Sequence, residues 1–135
     1  FLSDNINSRF NTILNSKING EEKYVALFKS QFQFFKTNPH FIVIVLSDGL
    51  MDNSDEIKSS IKKLIETNFG AIKQIMIEGQ QSKDFNQEME AESLVHFAMG
   101  SFRLQMLQWK LSNFSFDIEA QGMKTMTNLL TLLKK

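Results

Sequence analysis

The sequence predicts an all-α fold, an antiparallel bundle of about six helices, and three observations lead to this prediction. Apolar residues recur at intervals of three and four through most of the 135 residues, which is the spacing of amphipathic helices. One proline and six scattered glycines leave long stretches without a helix breaker. The longest uninterrupted apolar run, residues 41–46, is far shorter than the roughly 20 residues that span a bilayer. We therefore expect residues 1–135 to form a single helical domain without a transmembrane segment.

Two amphipathic helices open the chain. The first covers residues 2–14, and a break at Asn19 and Gly20 separates it from the second. Acidic residues 21–22 stand at the start of the second helix, where negative charge suits the positive end of the helix dipole. We expect this helix to end near Thr37, because Pro39 disfavours helical geometry in the residue before it.

Two patterns compete in the segment of the third helix. Asn38 is typical of an N-cap and Pro39 of a first helical position, which predicts a short helix to about Ser47. Residues 41–46 are also β-branched and short enough for a buried strand. We favour the helix, since no other stretch offers a partner strand for the backbone groups of a lone strand.

Three longer helices follow. The fourth begins at Asp55 and is predicted to end at Gly79, and a polar loop leads to Asn86, which we expect to cap the next helix. The fifth helix covers about 88–111 and the sixth about 117–133.

The fifth and sixth helices are apolar on two sides, which predicts two packing partners for each. In a monomer the second side would be a large exposed apolar patch, so we expect a homodimer in which four helices pack across a two-fold axis. The predicted interface consists of apolar residues with small residues that allow close approach: Phe97, Gly100, Ser101, Leu104, Leu107, Leu111, Ile118, Gly122, Leu129 and Leu132.

The large supply of aromatic side chains allows two interpretations. The chain has 13 Phe and 7 Met, and many face inward at helical spacing on the second, fourth and fifth helices. These side chains either fill a packed core or line an apolar ligand cavity with a few polar groups. The candidate ligand-binding residues are Phe28, Gln31, Phe32, Phe35, Met76, His96, Phe102, Gln105 and Trp109.

Several function classes lack their residues. Lys plus Arg equals Asp plus Glu at 15 each, so no net field attracts this segment to DNA or to a membrane. There is no cysteine, no HExxH motif, no glycine-rich phosphate loop and no nucleophile elbow. We therefore predict no catalytic residue, no metal site, no cofactor and no enzyme, and we expect a cytoplasmic protein.

The order of parts resembles the C-terminal domain of TetR/AcrR-family transcription regulators over nearly the whole chain. The resemblance rests on residues 34–39 (FFKTNP), 77–81 (IEGQQ), 84–85 (DF), 109–112 (WKLS) and 116–117 (FD), with Gly122 in the last helix. It implies a four-helix dimer bundle made by the fifth and sixth helices and an inducer cavity surrounded by the first five.

The resemblance also implies a function that involves DNA indirectly. The family carries a helix-turn-helix domain before such a domain, and we expect it to be absent from this chain. The predicted function is that of an effector-sensing and dimerisation domain of a repressor, in which a hydrophobic small molecule shifts the fourth helix and so alters DNA binding. The alternative is a stand-alone dimerisation or adaptor module with a packed core and no ligand.

Overall fold

A computed structural model describes residues 2–45 and 55–134. In these ranges the chain forms six helices: α1 Leu2–Leu14, α2 Gly20–Thr37, α3 His40–Val45, α4 Asp55–Gln81, α5 Ala91–Leu111 and α6 Ile118–Leu133. The prediction of an all-α fold is confirmed, since the described residues include no strand beyond one isolated bridge between Phe85 and Lys134. No helix in this part of the chain is both long and apolar enough to cross a membrane.

Helix α2 occupies the centre of the bundle. It packs against α1, α3, α4 and α6, while α5 packs between α4 and α6. The apolar side of α2 is buried throughout, with Tyr24 and Phe32 almost fully shielded from solvent. The Tyr24 hydroxyl donates a hydrogen bond of 2.8 Å to the Met126 carbonyl of α6, and burial raises the pKa of Tyr24 well above its ordinary value. This contact ties the first half of the chain to the last helix.

Two asparagines mark the ends of α2. The Asn19 side chain accepts a hydrogen bond of 2.8 Å from the Glu22 amide, which caps the start of the helix. The Asn38 side chain donates to the Phe34 carbonyl at 2.9 Å, so it closes α2 and does not cap the next helix as predicted. Helix α2 ends at Thr37 as expected, and α3 begins one residue after Pro39.

The helical interpretation of residues 41–46 is confirmed for the part that the structure describes. Residues 41–45 belong to α3, and the predicted end at Ser47 lies outside the described residues. A helix satisfies its own backbone groups, whereas a lone strand at this place would need a neighbour.

The turn between α4 and α5 differs from the prediction at both ends. Helix α4 continues to Gln81, two residues past Gly79, and the Phe85 ring packs directly on the Cα of that glycine. Asn86 accepts a hydrogen bond of 2.8 Å from the Glu88 amide, but α5 begins only at Ala91. Asn86 therefore shapes the loop and does not cap the helix.

A tight turn joins α5 to α6. Asn113 and Phe114 have φ angles of 57° and 61°, and the Phe114 amide donates to the Trp109 carbonyl at 2.8 Å. The Trp109 indole donates to the Phe116 carbonyl at 2.9 Å and meets the Phe114 ring edge to face. Asp117 then caps α6 by accepting from the first amides of that helix.

Candidate functional site

A cavity of about 380 Å³ lies between α2, α4 and α5, with one residue of α3 at its edge. Its wall is mostly apolar and includes four phenylalanines. The lining residues are Phe28, Gln31, Phe35, Ile42, Leu64, Ile65, Asn68, Phe69, Ile72, His96, Met99, Gly100, Phe102, Arg103 and Met106. A cavity of this size falls in the range of about 300–1,000 Å³ that is usual for small-molecule sites.

The structure brings five of the nine candidate ligand-binding residues together at this cavity. Phe28, Gln31 and Phe35 line it from α2, and His96 and Phe102 line it from α5. The ring of Phe102 lies 5.6 Å from that of Phe28, so the two helices meet through aromatic contacts at this wall.

The other four candidates lie elsewhere, and their packing explains why. Phe32 is fully buried against Gly122 of α6, and Met76 is buried in the core without reaching the cavity. Trp109 closes the turn before α6 through its indole N–H. Gln105 lines a separate groove of about 320 Å³ between α5 and α6, which it shares with Gln108, Phe116, Gln121 and Thr125.

Sequence reasoning placed the fourth helix at the cavity through Met76, but it missed the residues of α4 that line the cavity. Five residues of that helix line the wall: Leu64, Ile65, Asn68, Phe69 and Ile72. Successive members of this set are one, three, one and three residues apart, which is the spacing of a single helix face. The sequence therefore contained a pattern that identifies this face. The pattern identifies an inward face but does not tell whether that face meets side chains or empty space.

Polar groups from three helices form a chain of hydrogen bonds beside the cavity. Arg9 of α1 donates to the Gln31 side-chain oxygen at 3.3 Å, and the Gln31 amide nitrogen donates to the Asn68 side-chain oxygen at 2.9 Å. The Asn68 nitrogen donates in turn to the Leu64 carbonyl at 2.9 Å. Because Gln31 and Asn68 line the cavity, this chain connects its wall to α1.

One side of the cavity reaches solvent. His96 and Arg103 are exposed and stand on α5, with the His96 ring 5.5 Å from that of Phe69. Among the described residues no three His, Cys, Asp or Glu side chains gather in a way that would hold a metal ion. The site therefore offers apolar contacts, hydrogen bonds and one guanidinium at its rim.

The residues predicted for the dimer interface divide into two groups. Five form an exposed apolar surface on α5 and α6, which we name the outer face: Phe97, Leu104, Leu107, Leu111 and Leu132. Ile118 and Gly122 are instead buried within the chain, Ile118 at 1 % exposure and Gly122 beneath the Phe32 ring, so the prediction was wrong for both. Leu129 packs against the core, Ser101 is half-buried, and Gly100 borders the cavity.

These features define a class of protein. A helical domain with an apolar cavity between three helices and an exposed apolar face on its last two has the architecture expected of the C-terminal domain of a TetR-family transcription regulator. The chain belongs to this family: residues 3–132 match the TetR C-terminal group described as "YsiA-like protein, C-terminal region". Members of the family are transcription factors and not enzymes. A search of curated protein sequences finds no significant match.

Two solved structures share the fold. One is the transcriptional regulator FadR from Bacillus subtilis in complex with stearoyl-CoA, with a TM-score of 0.79 and 14 % identity over 95 % of this chain and 68 % of that chain. The other is the MbdR regulator from Azoarcus sp. CIB, with a TM-score of 0.78 and 17 % identity over 96 % of this chain and 71 % of that chain.

Proposed function

We propose that this domain binds a mainly hydrophobic small molecule in the cavity between α2, α4 and α5, and that occupancy changes DNA binding by a helix-turn-helix domain of the same regulator. The observation that carries the proposal is the largely apolar cavity of about 380 Å³. The structure of FadR, which has the same fold, contains stearoyl-CoA, a ligand with a long apolar chain. A packed adaptor module would have no need of such a space.

Helix α4 is the best candidate for transmitting occupancy. It contributes Leu64, Asn68 and Ile72 to the cavity wall and packs against α1, α2 and α5. A ligand that fits one position of α4 better than another shifts the helix towards that position. In a repressor whose two DNA-binding domains must match two half-sites, such a shift releases the operator.

We also propose that the outer face forms the homodimer interface. Leu104 is 55 % exposed and Leu107 is 38 % exposed on α5, while Leu132 on α6 is 73 % exposed. Packing this surface against a second copy removes it from water and creates a four-helix bundle across a two-fold axis.

The cavity is tested by filling it. Ile72→Trp places a large side chain in the cavity wall, and Ile77→Trp makes the same change on the same helix at a residue that does not line the cavity. We expect the neutral fluorescent probe N-phenyl-1-naphthylamine to bind the wild type and Ile77→Trp, and to bind Ile72→Trp at least about tenfold more weakly. Circular dichroism and the melting temperature establish that both variants fold.

Equal binding to Ile72→Trp and the wild type would refute the cavity as the binding site. If the probe neither binds the wild type nor raises its melting temperature, the packed adaptor becomes the better interpretation. In the intact regulator, an apolar effector that binds without changing operator affinity would refute the coupling to DNA.

The dimer is tested by charge on the outer face. Two copies of the 15.6 kDa chain give 31.2 kDa, the mass that we expect from light scattering at micromolar concentration. Leu107→Glu buries a carboxylate in the proposed interface and should give 15.6 kDa, whereas Ile77→Glu should not, although both parent side chains are 38 % exposed. A dimer that survives Leu107→Glu would show that the outer face is not the interface.

A further inference from the structure

The hydrogen-bond chain through Arg9, Gln31 and Asn68 has a defined direction. Arginine has only donors, so the side-chain oxygen of Gln31 must face Arg9 and its nitrogen must face Asn68. The same logic places the Asn68 oxygen towards Gln31 and its nitrogen towards the Leu64 carbonyl. The orientation of both side-chain amides therefore follows from the cation, Arg9, at which this series of hydrogen bonds begins.

Arg9 is itself held firmly in place. It donates to the Ser30 carbonyl at 3.0 Å and to the Ser30 hydroxyl, and its guanidinium lies 4.8 Å from the centre of the Phe34 ring. Burial lowers the pKa of Arg9 from its ordinary value, and a guanidinium nevertheless remains charged in proteins. The Arg9 guanidinium is thus fixed to α2 by contacts with Ser30 and Phe34, which precede and follow Gln31 in the sequence.

The two amides have donor capacity left for a ligand. Each amide nitrogen bears two hydrogens, and the hydrogen bonds described above involve only one from Gln31 and one from Asn68. Because hydrogen bonds in a series polarise one another, the positive charge of Arg9 strengthens these N–H donors and weakens the amide oxygens as acceptors. Gln31 is 2 % exposed, so its surroundings exclude much of the water that would compete.

We propose that Gln31 and Asn68 recognise a hydrogen-bond acceptor oxygen, of the carbonyl type, on an otherwise apolar effector, and that Arg9 is the positioning residue that orients them. This inference rests on the proposed function of the cavity. It adds the chemical class of the ligand group and assigns a role to a residue of α1 that does not line the cavity.

A matched pair of small probes tests the proposal. 2-Acetylnaphthalene and 2-isopropenylnaphthalene share the ring and the same arrangement of heavy atoms, and the first has a carbonyl oxygen where the second has a methylene group. We expect the wild-type domain to bind the acetyl compound about fivefold more tightly, the gain from one net hydrogen bond, by calorimetry or by competition with N-phenyl-1-naphthylamine. The ratio of the two dissociation constants is the readout, because a general loss of packing changes both constants together.

Variants test whether the preference for the acetyl compound depends on the hydrogen-bond chain. Arg9→Met should bring the ratio close to one, Arg9→Lys should retain most of the preference, and Lys29→Met should leave it unchanged, since Lys29 is an exposed cation of the same helix as Gln31. Asn68→Asp replaces a donor nitrogen by an acceptor oxygen in the same shape, and it should abolish or reverse the preference. This last variant serves as an independent test if Arg9→Met fails to fold.

Each result decides between the two proposals. Equal binding of both compounds to the wild type would overturn the acceptor-recognition proposal while leaving the cavity function intact. A preference that persists in Arg9→Met would overturn the role of Arg9. Failure of both compounds to bind the wild type would refute the cavity function, and the present inference with it.

Discussion

Replacing Gly122 by alanine separates two explanations for a small residue in the last helix. The structure places Gly122 beneath the Phe32 ring, where an added Cβ would lie 2.5 Å from Cε1 and Cζ and 2.8 Å from Cε2. Gly70 of α4 offers a matched control, because an added Cβ there meets nothing within 4 Å. Both glycines lie inside helices, so both alanines bring the same gain in helix propensity.

Two opposing effects, helix propensity and overpacking, determine the change in the free energy of unfolding. Alanine stabilises a helix interior relative to glycine by about 1 kcal/mol, which is the full effect expected for Gly70→Ala. At Gly122 the Phe32 ring must retreat by about 1 Å to reach ordinary contact, yet it is fully buried and packs 5.0 Å from the Phe102 ring. Overpacking of a buried site costs about 1–3 kcal/mol. We therefore expect Gly122→Ala to lie about 1–3 kcal/mol below Gly70→Ala in free energy of unfolding.

Urea unfolding at one fixed protein concentration measures the difference, since the proposed dimerisation would make stability depend on concentration. Phe32→Leu supplies the second arm of a double-mutant cycle: it should restore part of the stability lost in Gly122→Ala, with a coupling of at least about 1 kcal/mol. Gly122→Ala that matches Gly70→Ala in stability, together with a loss of dimer mass, would refute the buried placement and favour the interface.

Three further changes test individual contacts. Trp109→Phe removes the donor to the Phe116 carbonyl and should lower the free energy of unfolding by about 1 kcal/mol in urea; no change would contradict the closing role of the indole. The hydrogen bond from Lys23 lowers the pKa of Glu78, so this contact stabilises the fold above the ordinary pKa of 4.5 and is lost as the pH falls through the lowered value. The difference in melting temperature between wild type and Glu78→Gln should therefore be larger at neutral pH than near pH 3, and equal differences would argue against the ion pair. Tyr24 is the one tyrosine of the chain, so absorbance titration reports it alone: we expect no ionisation of the folded domain near the ordinary pKa of 10, and stability should fall above that pH because only the unfolded tyrosine ionises.

The fold was predictable because helices of this length repeat their apolar pattern many times. The periodicity located every long helix of the described residues to within a few residues. For residues 41–45 the absence of a partner strand, and not the periodicity, favoured helix over strand. The errors in helix assignment lie at helix ends, where the hydrogen bonds of single side chains determine the residue at which a helix begins or ends. Asn38 and Asn86 both have the residue type of an N-cap, but one closes the preceding helix and the other stabilises a loop.

The candidate site was only partly predictable, for a geometric reason. Periodicity shows that a helix has two apolar sides, but it does not show how the helix is rotated against its neighbours. On α6 this rotation buries Ile118 in the core and Gly122 against Phe32 of α2, and it leaves Leu132 exposed. The burial of Ile118 and Gly122 reverses part of the assignment from sequence. For the same reason Met76 was chosen on α4 in place of the five residues that line the cavity, since an apolar face looks identical in sequence whether it meets Phe rings or a void.

Helix α5 connects the cavity to the outer face, and this leads to a last prediction. Met99 and Phe102 line the cavity, while Phe97, Leu104 and Leu107 of the same helix are exposed on the outer face. Two binding events that share one rigid element are thermodynamically linked, and the linkage is reciprocal. A partner copy that covers the outer face restrains α5, so the cavity wall is better ordered in the proposed dimer than in the monomer.

We therefore expect the monomeric Leu107→Glu variant to bind N-phenyl-1-naphthylamine more weakly than the wild type, by a factor of about 5 or more if the coupling is of the usual size. By reciprocity, saturating probe should lower the dissociation constant of the wild-type dimer by the square of that factor, because each dimer has two cavities, one in each copy. Ile77→Glu should alter neither constant, because Ile77 lies outside both the cavity wall and the outer face. Unchanged probe affinity in a monomeric Leu107→Glu domain would show that α5 does not couple the two sites, and it would leave α4 as the proposed element that transmits occupancy.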